Sequence, residues 1–281
     1  MMKRTCLIVW MIIAVLTVSL SAFGENTPWD CPDCGRTGNT GNFCGGCGHA
    51  APTEPSGADT LAQILPSTVA VGDILTFGHY EQDNKYANGP EEIEWIVLDF
   101  DKANHNALLL SKYALDAGSY HKNLDTVTWE TCTLRTWLNE TFLKKAFNQD
   151  EQSVILTTEV DNSTRQGYSK WETDGGNNTQ DRIFLLSYAE AKQYLDVDNK
   201  YNVKSRVSPT AYAVSRGLVA RELFKTEDGL ATVSWWLRSP GTFQYEAAIV
   251  KIEGSIDDQM IENYYHAIRP ALWLNLDAAF N

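Results

Sequence analysis

Ser234-Trp235-Trp236-Leu237-Arg238-Ser239-Pro240-Gly241 sets two tryptophans and an arginine directly before a Pro-Gly turn. The stretch reads as a strand closed by that turn. Successive side chains of a strand leave on opposite faces, so only one of Trp235 and Trp236 can face any given pocket. Strict alternation also puts Trp236 on the same face as Arg238. Downstream, Ala247-Ala248-Ile249-Val250-Lys251-Ile252, turning at Glu253-Gly254, and Ala271-Leu272-Trp273-Leu274-Asn275-Leu276 are expected to flank this strand as sheet partners. Arg238 and Arg269 would then lie close together in one sheet.

Upstream, residues 73–78, 93–98 and 107–111 read as strands of alternating or continuous apolar character. The turn before the third holds Asp99, Asp101, Asn104 and Asn106. Its spacing lacks the glycine and terminal glutamate of a calcium loop, so a plain hairpin turn is expected and calcium has no support. From Thr133 the period changes. Leu134, Trp137, Leu138, Phe142 and Ala146 share a helical face, with Asn139 as a break between two shorter helices. Glu130 and Arg135 are near enough to pair. A strand is expected over residues 154–160, followed by a polar loop over 161–181 broken only by Tyr168 and Trp171. Loops of that length are usually functional or disordered, and its aromatics favour contact with a partner or pin the loop to the core. Residues 183–186 read as a buried strand. Ser187 with Glu190 forms a capping box for a helix to about Leu195, and Ser208, Pro209 and Gly217 bracket a second helix. The fold class is therefore α+β, with mixed and antiparallel sheets and a few covering helices.

The 281 residues suit one large domain plus something small. Residues 1–24 carry Lys3 and Arg4, then an uncharged run to Phe23. They read as a signal peptide cleaved before Glu25, with an uncleaved N-terminal anchor as the alternative and the only expected contact with a membrane. Export to the medium or the cell surface follows in either case. Residues 25–49 hold Cys31-Pro-Asp-Cys34-Gly35 and Cys44-Gly-Gly-Cys47-Gly48. Two Cys-x-x-Cys pairs place four thiolates tetrahedrally, so Cys31, Cys34, Cys44 and Cys47 are candidate ligands of a structural zinc. An oxidising exterior leaves two disulfides as the other staple for so small a module. The segment resembles the short zinc-ribbon of many bacterial proteins. Residues 50–66, with Pro52, Pro55 and Gly57, read as a linker, and the main domain runs over 67–281. A net charge of −13 repels phosphate backbones and argues against nucleic acid as a partner.

Taken in order, Phe77-Gly78, Glu94-Trp95-Ile96-Val97-Leu98, Leu108-Leu109-Leu110-Ser111, Trp129-Glu130 with Leu134-Arg135 and Trp137-Leu138-Asn139, Phe184-Leu185-Leu186-Ser187, the opening stretch and Arg269-Pro270-Ala271-Leu272-Trp273 resemble a bacterial family of unknown function, the DUF6273 domain. The resemblance spans residues 74–276. Ala267-Ile268 stands where that family usually has Gly-Val. A more distant likeness, a tryptophan-rich strand with Leu-Arg-Ser and a last strand entered through arginine, is to the formylglycine-generating-enzyme and C-type-lectin-like folds. It implies architecture only, because that oxidase depends on a pair of reactive cysteines and Cys132 is single.

The chemistry leaves two readings of the arginines. Both hold loops through carbonyls and carboxylates, or they supply donors to a pocket with aromatic walls. For the pocket, Trp235, Arg238, Tyr245, Arg269 and Trp171 are the candidate ligand-binding residues, and a sugar, a peptide or another small polar ligand is the expected partner. No His-Glu-x-x-His, Gly-x-Ser-x-Gly or phosphate loop is present. The expectation is an exported, non-enzymatic binding module. A hydrolase or redox enzyme of the cell exterior and a structural protein acting through protein contacts are the alternatives.

Overall fold

The computed structural model describes residues 69–199 and 202–277, together with Cys31, residues 35–39, Cys44 and Gly46. The chain divides into two compact units, Met1–Ala51 and Pro52–Asn281. In the first, Cys31 and Cys44 are buried. The Gly35 N–H donates to the Cys31 carbonyl at 3.0 Å and the Gly46 N–H to Cys44 Sγ at 3.4 Å. Cys34, Cys47, the leader at 1–24 and the linker at 50–66 lie outside the described residues.

The second unit opens with an antiparallel meander of β1 (Ile74–Tyr80), β2 (Glu91–Asp101) and β3 (Asn106–Ser111). Gly78 in β1 has φ +72° at a register shift, and the Phe147 ring stands where its Cβ would be, so the position takes only glycine. After β4 (Asp116–Ala117) come α1 (Thr133–Trp137), a π-helical turn over Leu138–Phe142, α2 (Leu143–Ala146) and α3 (Gln149–Val154). Then follow β5 (Thr158–Val160), β6 (Thr179–Asp181), α4 (Tyr188–Leu195) and α5 (Ala211–Ser215). The chain ends with β7 (Arg221–Lys225), β8 (Ala231–Thr232), β9 (Trp235–Pro240), β10 (Glu246–Val250), β11 (Ile256–Met260), β12 (Ala267–Ile268) and β13 (Ala271–Asn275).

Two sheets carry the core. One has the order β1-β2-β3-β13, the other β11-β10-β9-β12-β4, with β12 parallel to β9 and its other pairs antiparallel. The α+β class with mixed and antiparallel sheets is therefore present. Residues 271–276 do not flank the tryptophan strand as expected. The chain leaves β12 through Arg269 and Pro270 and enters the other sheet, where Ala271 faces Leu110 and Asn275 faces Asn106. Pro270 has no N–H to continue the first ladder, and its carbonyl accepts from Ser111 N at 2.9 Å in the second. Residues 267–275 thus tie the two sheets together.

Local signals hold where the interaction is local. Ser187 and Glu190 form the expected capping box of α4. The break expected at Asn139 is the π-helical turn. The cap of α5 is Thr210, not Ser208, because Pro209 is still extended and bridged to Ala114. Only residues 158–160 of the expected 154–160 strand are in a ladder, since Val154 ends α3, which Asn148 caps. Residues 183–186 form no strand beyond the Phe184–Ala271 bridge. Among the described residues no helix is long and apolar enough to cross a membrane.

Asn139 supports this ladder-free segment. Its Oδ1 accepts from Arg182 N at 2.9 Å and Ile183 N at 3.1 Å, and its Nδ2 donates to the Ile183 carbonyl at 2.9 Å. Asn139→Ala strands two backbone N–H groups and should destabilise the unit by about 1–3 kcal/mol. Asn139→Asp, which keeps the acceptor, should recover part of the loss in a urea titration.

Candidate functional site

Trp235 and Trp236 are both fully buried, one on each face of β9. Trp235 Nε1 donates to the Ser205 carbonyl at 3.0 Å and Trp236 Nε1 to the Gly118 carbonyl at 2.8 Å. Beside them runs β12, flanked by His266 and Arg269. These two are three residues apart and so leave an extended chain on opposite faces. The Arg269 guanidinium lies 5.0 Å from the Trp235 ring, and the His266 ring lies 4.7 Å from that of Trp236.

Alternation fails beyond Trp236. Ile249 faces Trp236 and Ala247 faces Pro240, so three residues of β9 oppose the single Ala248. Within this bulge the Arg238 N–H leaves the ladder and donates to the Leu186 carbonyl at 2.9 Å. Trp236 and Arg238 therefore meet different partners. Arg238 is 2% exposed and binds Glu190 with both terminal nitrogens, Nη2 to Oε1 at 2.8 Å and Nη1 to Oε2. It also donates to the carbonyls of Leu185 at 2.9 Å and Asp161 at 3.1 Å. Ser239 continues the clasp, its Oγ accepting from Tyr188 N at 2.9 Å and donating to the Gln166 carbonyl at 2.8 Å. Arg238 thus holds loops, as one of the two readings had it, and the only concavity it lines among those described, with Gln166 and Ser239, is about 10 Å³, too small for a ligand.

Arg135 acts likewise from the other side. Its Nε donates to buried Asp181 at 2.6 Å, and Asp181 also accepts from Trp129 Nε1 at 2.8 Å. The expected Glu130–Arg135 side-chain pair does not form. Asp181 is the nearer carboxylate, and Arg135 meets only the Glu130 carbonyl, at 3.1 Å.

Arg269 differs from both. It is 1% exposed, its Nε donates to the Ser111 carbonyl at 2.9 Å, and its buried Nη1 has no partner. It has no carboxylate within ion-pair distance among the described residues. Burial pushes its pKa down to about 9, which still leaves it charged at neutral pH. Arg269 lines a cleft of about 430 Å³ together with Lys112, Lys204, Arg206, Tyr113 and Tyr194. Lys112 pairs with Glu94 at 3.2 Å, while Glu227 and Asp228 supply acidic groups at the same cleft. The wall of this ligand-sized space is thus partly basic, with Arg269 almost wholly enclosed behind it and the Arg206 guanidinium donating to the carbonyls of Glu253 at 3.1 Å and Lys225 at 3.0 Å.

Of the five residues expected at a pocket, only Trp235 and Arg269 come together, with Trp235 as the buried support. Tyr245 stacks on Phe243 at 5.3 Å and 9°, half-exposed, and does not line the cleft. Trp171 packs edge-on against Tyr168, which packs on Tyr188, so the aromatics pin their loop to the core. Nothing local in the sequence singles out Lys204 and Arg206 beyond their basic character in an acidic chain. Cys132 is buried, burial pushes its thiol to about 12, and its Sγ caps α1 by accepting from Arg135 N at 3.4 Å. Oxygens of Glu81, Asp83 and Glu91 lie within 4.8 Å of one another, but they accept from backbone N–H groups of residues 82, 83 and 85 and so order a turn.

Arg238→Met leaves Glu190 partly buried without its partner and should lower the unfolding free energy by about 3–5 kcal/mol. Glu190→Gln, which retains the capping acceptor, should cost less. Urea midpoints at an unchanged m-value would read both.

No curated protein and no solved structure matches this chain. A family model does match, over residues 104–276. That match begins inside the first sheet, whose β1 and β2 precede it and are hydrogen-bonded to β3 through the β2 ladder. With its clasped arginine, its crossing at Pro270 and this match, the chain belongs to the family described as "Domain of unknown function (DUF6273)".

Proposed function

We propose that the second unit is an exported, non-enzymatic binding module whose small polar ligand occupies the Arg269 cleft. The observation that carries this reading is the buried Nη1 of Arg269, a charged donor without a partner at the wall of that cleft. Buried polar groups in native proteins are almost always satisfied, and an uncompensated guanidinium is the costliest kind to leave unmet. A ligand bearing a carboxylate or similar oxyanion supplies both the acceptor and the countercharge. Lys204 and Arg206 at the same cleft favour such a group. The distant C-type-lectin-like likeness is carried as an architectural proposal, supported by two sheets that exchange a chain at β12 and β13.

Thermal unfolding of the full chain with acetate, sulfate, phosphate and N-acetyl-alanine in turn tests the site. At least one should stabilise the wild type, by ~2.7 kcal/mol at a hundredfold excess over Kd. Arg269→Gln should remove that response. A wild type indifferent to all four, or a variant that responds equally, counts against the reading.

For the first unit we propose a structural zinc held by Cys31, Cys34, Cys44 and Cys47. The burial of Cys31 and Cys44 and the N–H···S bond from Gly46 suit thiolate ligands, which gain from such donors. Bound there, zinc supplies a fold constraint that so short a segment lacks. Thiol titration of exported protein should find four thiols released by a chelator and a fifth, Cys132, released only by denaturant. Thiols absent until a reductant is added would instead assign disulfides.

A further inference from the structure

A second concavity, about 730 Å³ in volume, is lined by His266, Ser234, Arg221, Tyr265, Val233 and Ile252 among others. It has the size of a ligand site and none of the Arg269 cleft's lining residues. His266 is 8% exposed, and neither of its ring nitrogens has a hydrogen-bond partner. Its ring is fixed by the contact with Trp236. Tyr265 is 54% exposed, and Arg221, also exposed, makes no ion pair among the described residues. Lys251 at the same concavity is already held by Glu253 at 3.2 Å and Asp257 at 3.3 Å.

The chemistry of the ring narrows the ligand. Burial pushes His266 down to about 4, so it is neutral at physiological pH and offers one N–H donor and one bare acceptor nitrogen. An oxyanion can meet only the donor half and a cation only the acceptor half. A hydroxyl group meets whichever nitrogen faces it. The remaining lining combines aliphatic side chains with one exposed tyrosine ring, which suits a ligand with a C–H face as well as hydroxyls. We propose that this concavity is a saccharide-binding site, in which a sugar hydroxyl pairs with His266, the sugar's C–H face lies against Tyr265, and Ser234 and Arg221 meet further hydroxyls. The site is independent of the Arg269 cleft.

The five histidines of the chain make the test direct. Full-length protein labelled with 13C and 15N in histidine, with the His266 signal assigned through His266→Gln, is titrated with trisaccharides of glucose, N-acetylglucosamine, galactose and mannose, and with triglycine and sulfate. At least one trisaccharide should move the His266 Cε1–H resonance saturably. Tyr265→Ala, a change at an exposed position that leaves the core intact, should weaken that binding at least tenfold, and Arg269→Gln should leave it unchanged. The proposal is overturned if no trisaccharide moves the resonance, if only triglycine or sulfate does, if Tyr265→Ala binds as the wild type does, or if Arg269→Gln abolishes the response. The last outcome would make the two concavities one site.

Discussion

The bidentate pair between Arg238 and Glu190 is the contact on which the arrangement of the second unit depends. Residues 182–187 lie between the sheets without a ladder of their own, apart from the bridge between Phe184 and Ala271. Backbone groups in such a position have to be satisfied one at a time. Arg238 takes the Leu185 carbonyl and the α4 cap, and its own N–H takes the Leu186 carbonyl. From the opposite side Asn139 takes Arg182 and Ile183, while Arg135 and Trp129 take Asp181. Trp129, Arg135, Asn139 and Arg238, all within the span of the family match, hold this one irregular segment.

That clasp explains why three arginines, half-buried Arg135 and fully buried Arg238 and Arg269, have different roles. Arg135 and Arg238 each face a carboxylate delivered by the segment they hold. A buried charge with a well-placed partner is stabilising to retain and costly to break. Arg269 sits at the crossing between sheets, where the neighbouring groups are a carbonyl and an indole ring. The indole face offers a cation–π contact of roughly 0.5–2 kcal/mol, which does not replace a countercharge. Arg238 also keeps one buried nitrogen, Nε, without a partner, but it has Glu190 as countercharge; the lack of a countercharge at Arg269 is the functional asymmetry of the fold.

The paired tryptophans give the same strand two chemically different neighbourhoods. At neutral pH Trp235 backs a charged base, Arg269, and Trp236 a neutral one, His266. The net charge of −13 would repel an anion at long range. At physiological ionic strength screening acts over about 8 Å, so the potential within the cleft is set by its own groups, Lys204, Arg206 and Arg269 against Glu227 and Asp228.

Features whose interacting residues are close along the chain are legible in the sequence. Its α+β class, the Ser187–Glu190 cap and the break at Asn139 all follow from periodicity or capping. It also carried the family resemblance, because that depends on the order of short motifs. The tertiary structure decided where residues 271–275 pair, since ladder choice after Pro270 is a contest between two sheets rather than a property of the segment. It decided the fate of the arginines for the same reason. Glu190 is 48 residues from Arg238 and Asp181 is 46 from Arg135, and nothing near Arg269 in sequence shows that its partner would be missing. Whether a charge stabilises the fold or remains available to a ligand depends on which distant group reaches it, and only the folded chain fixes that.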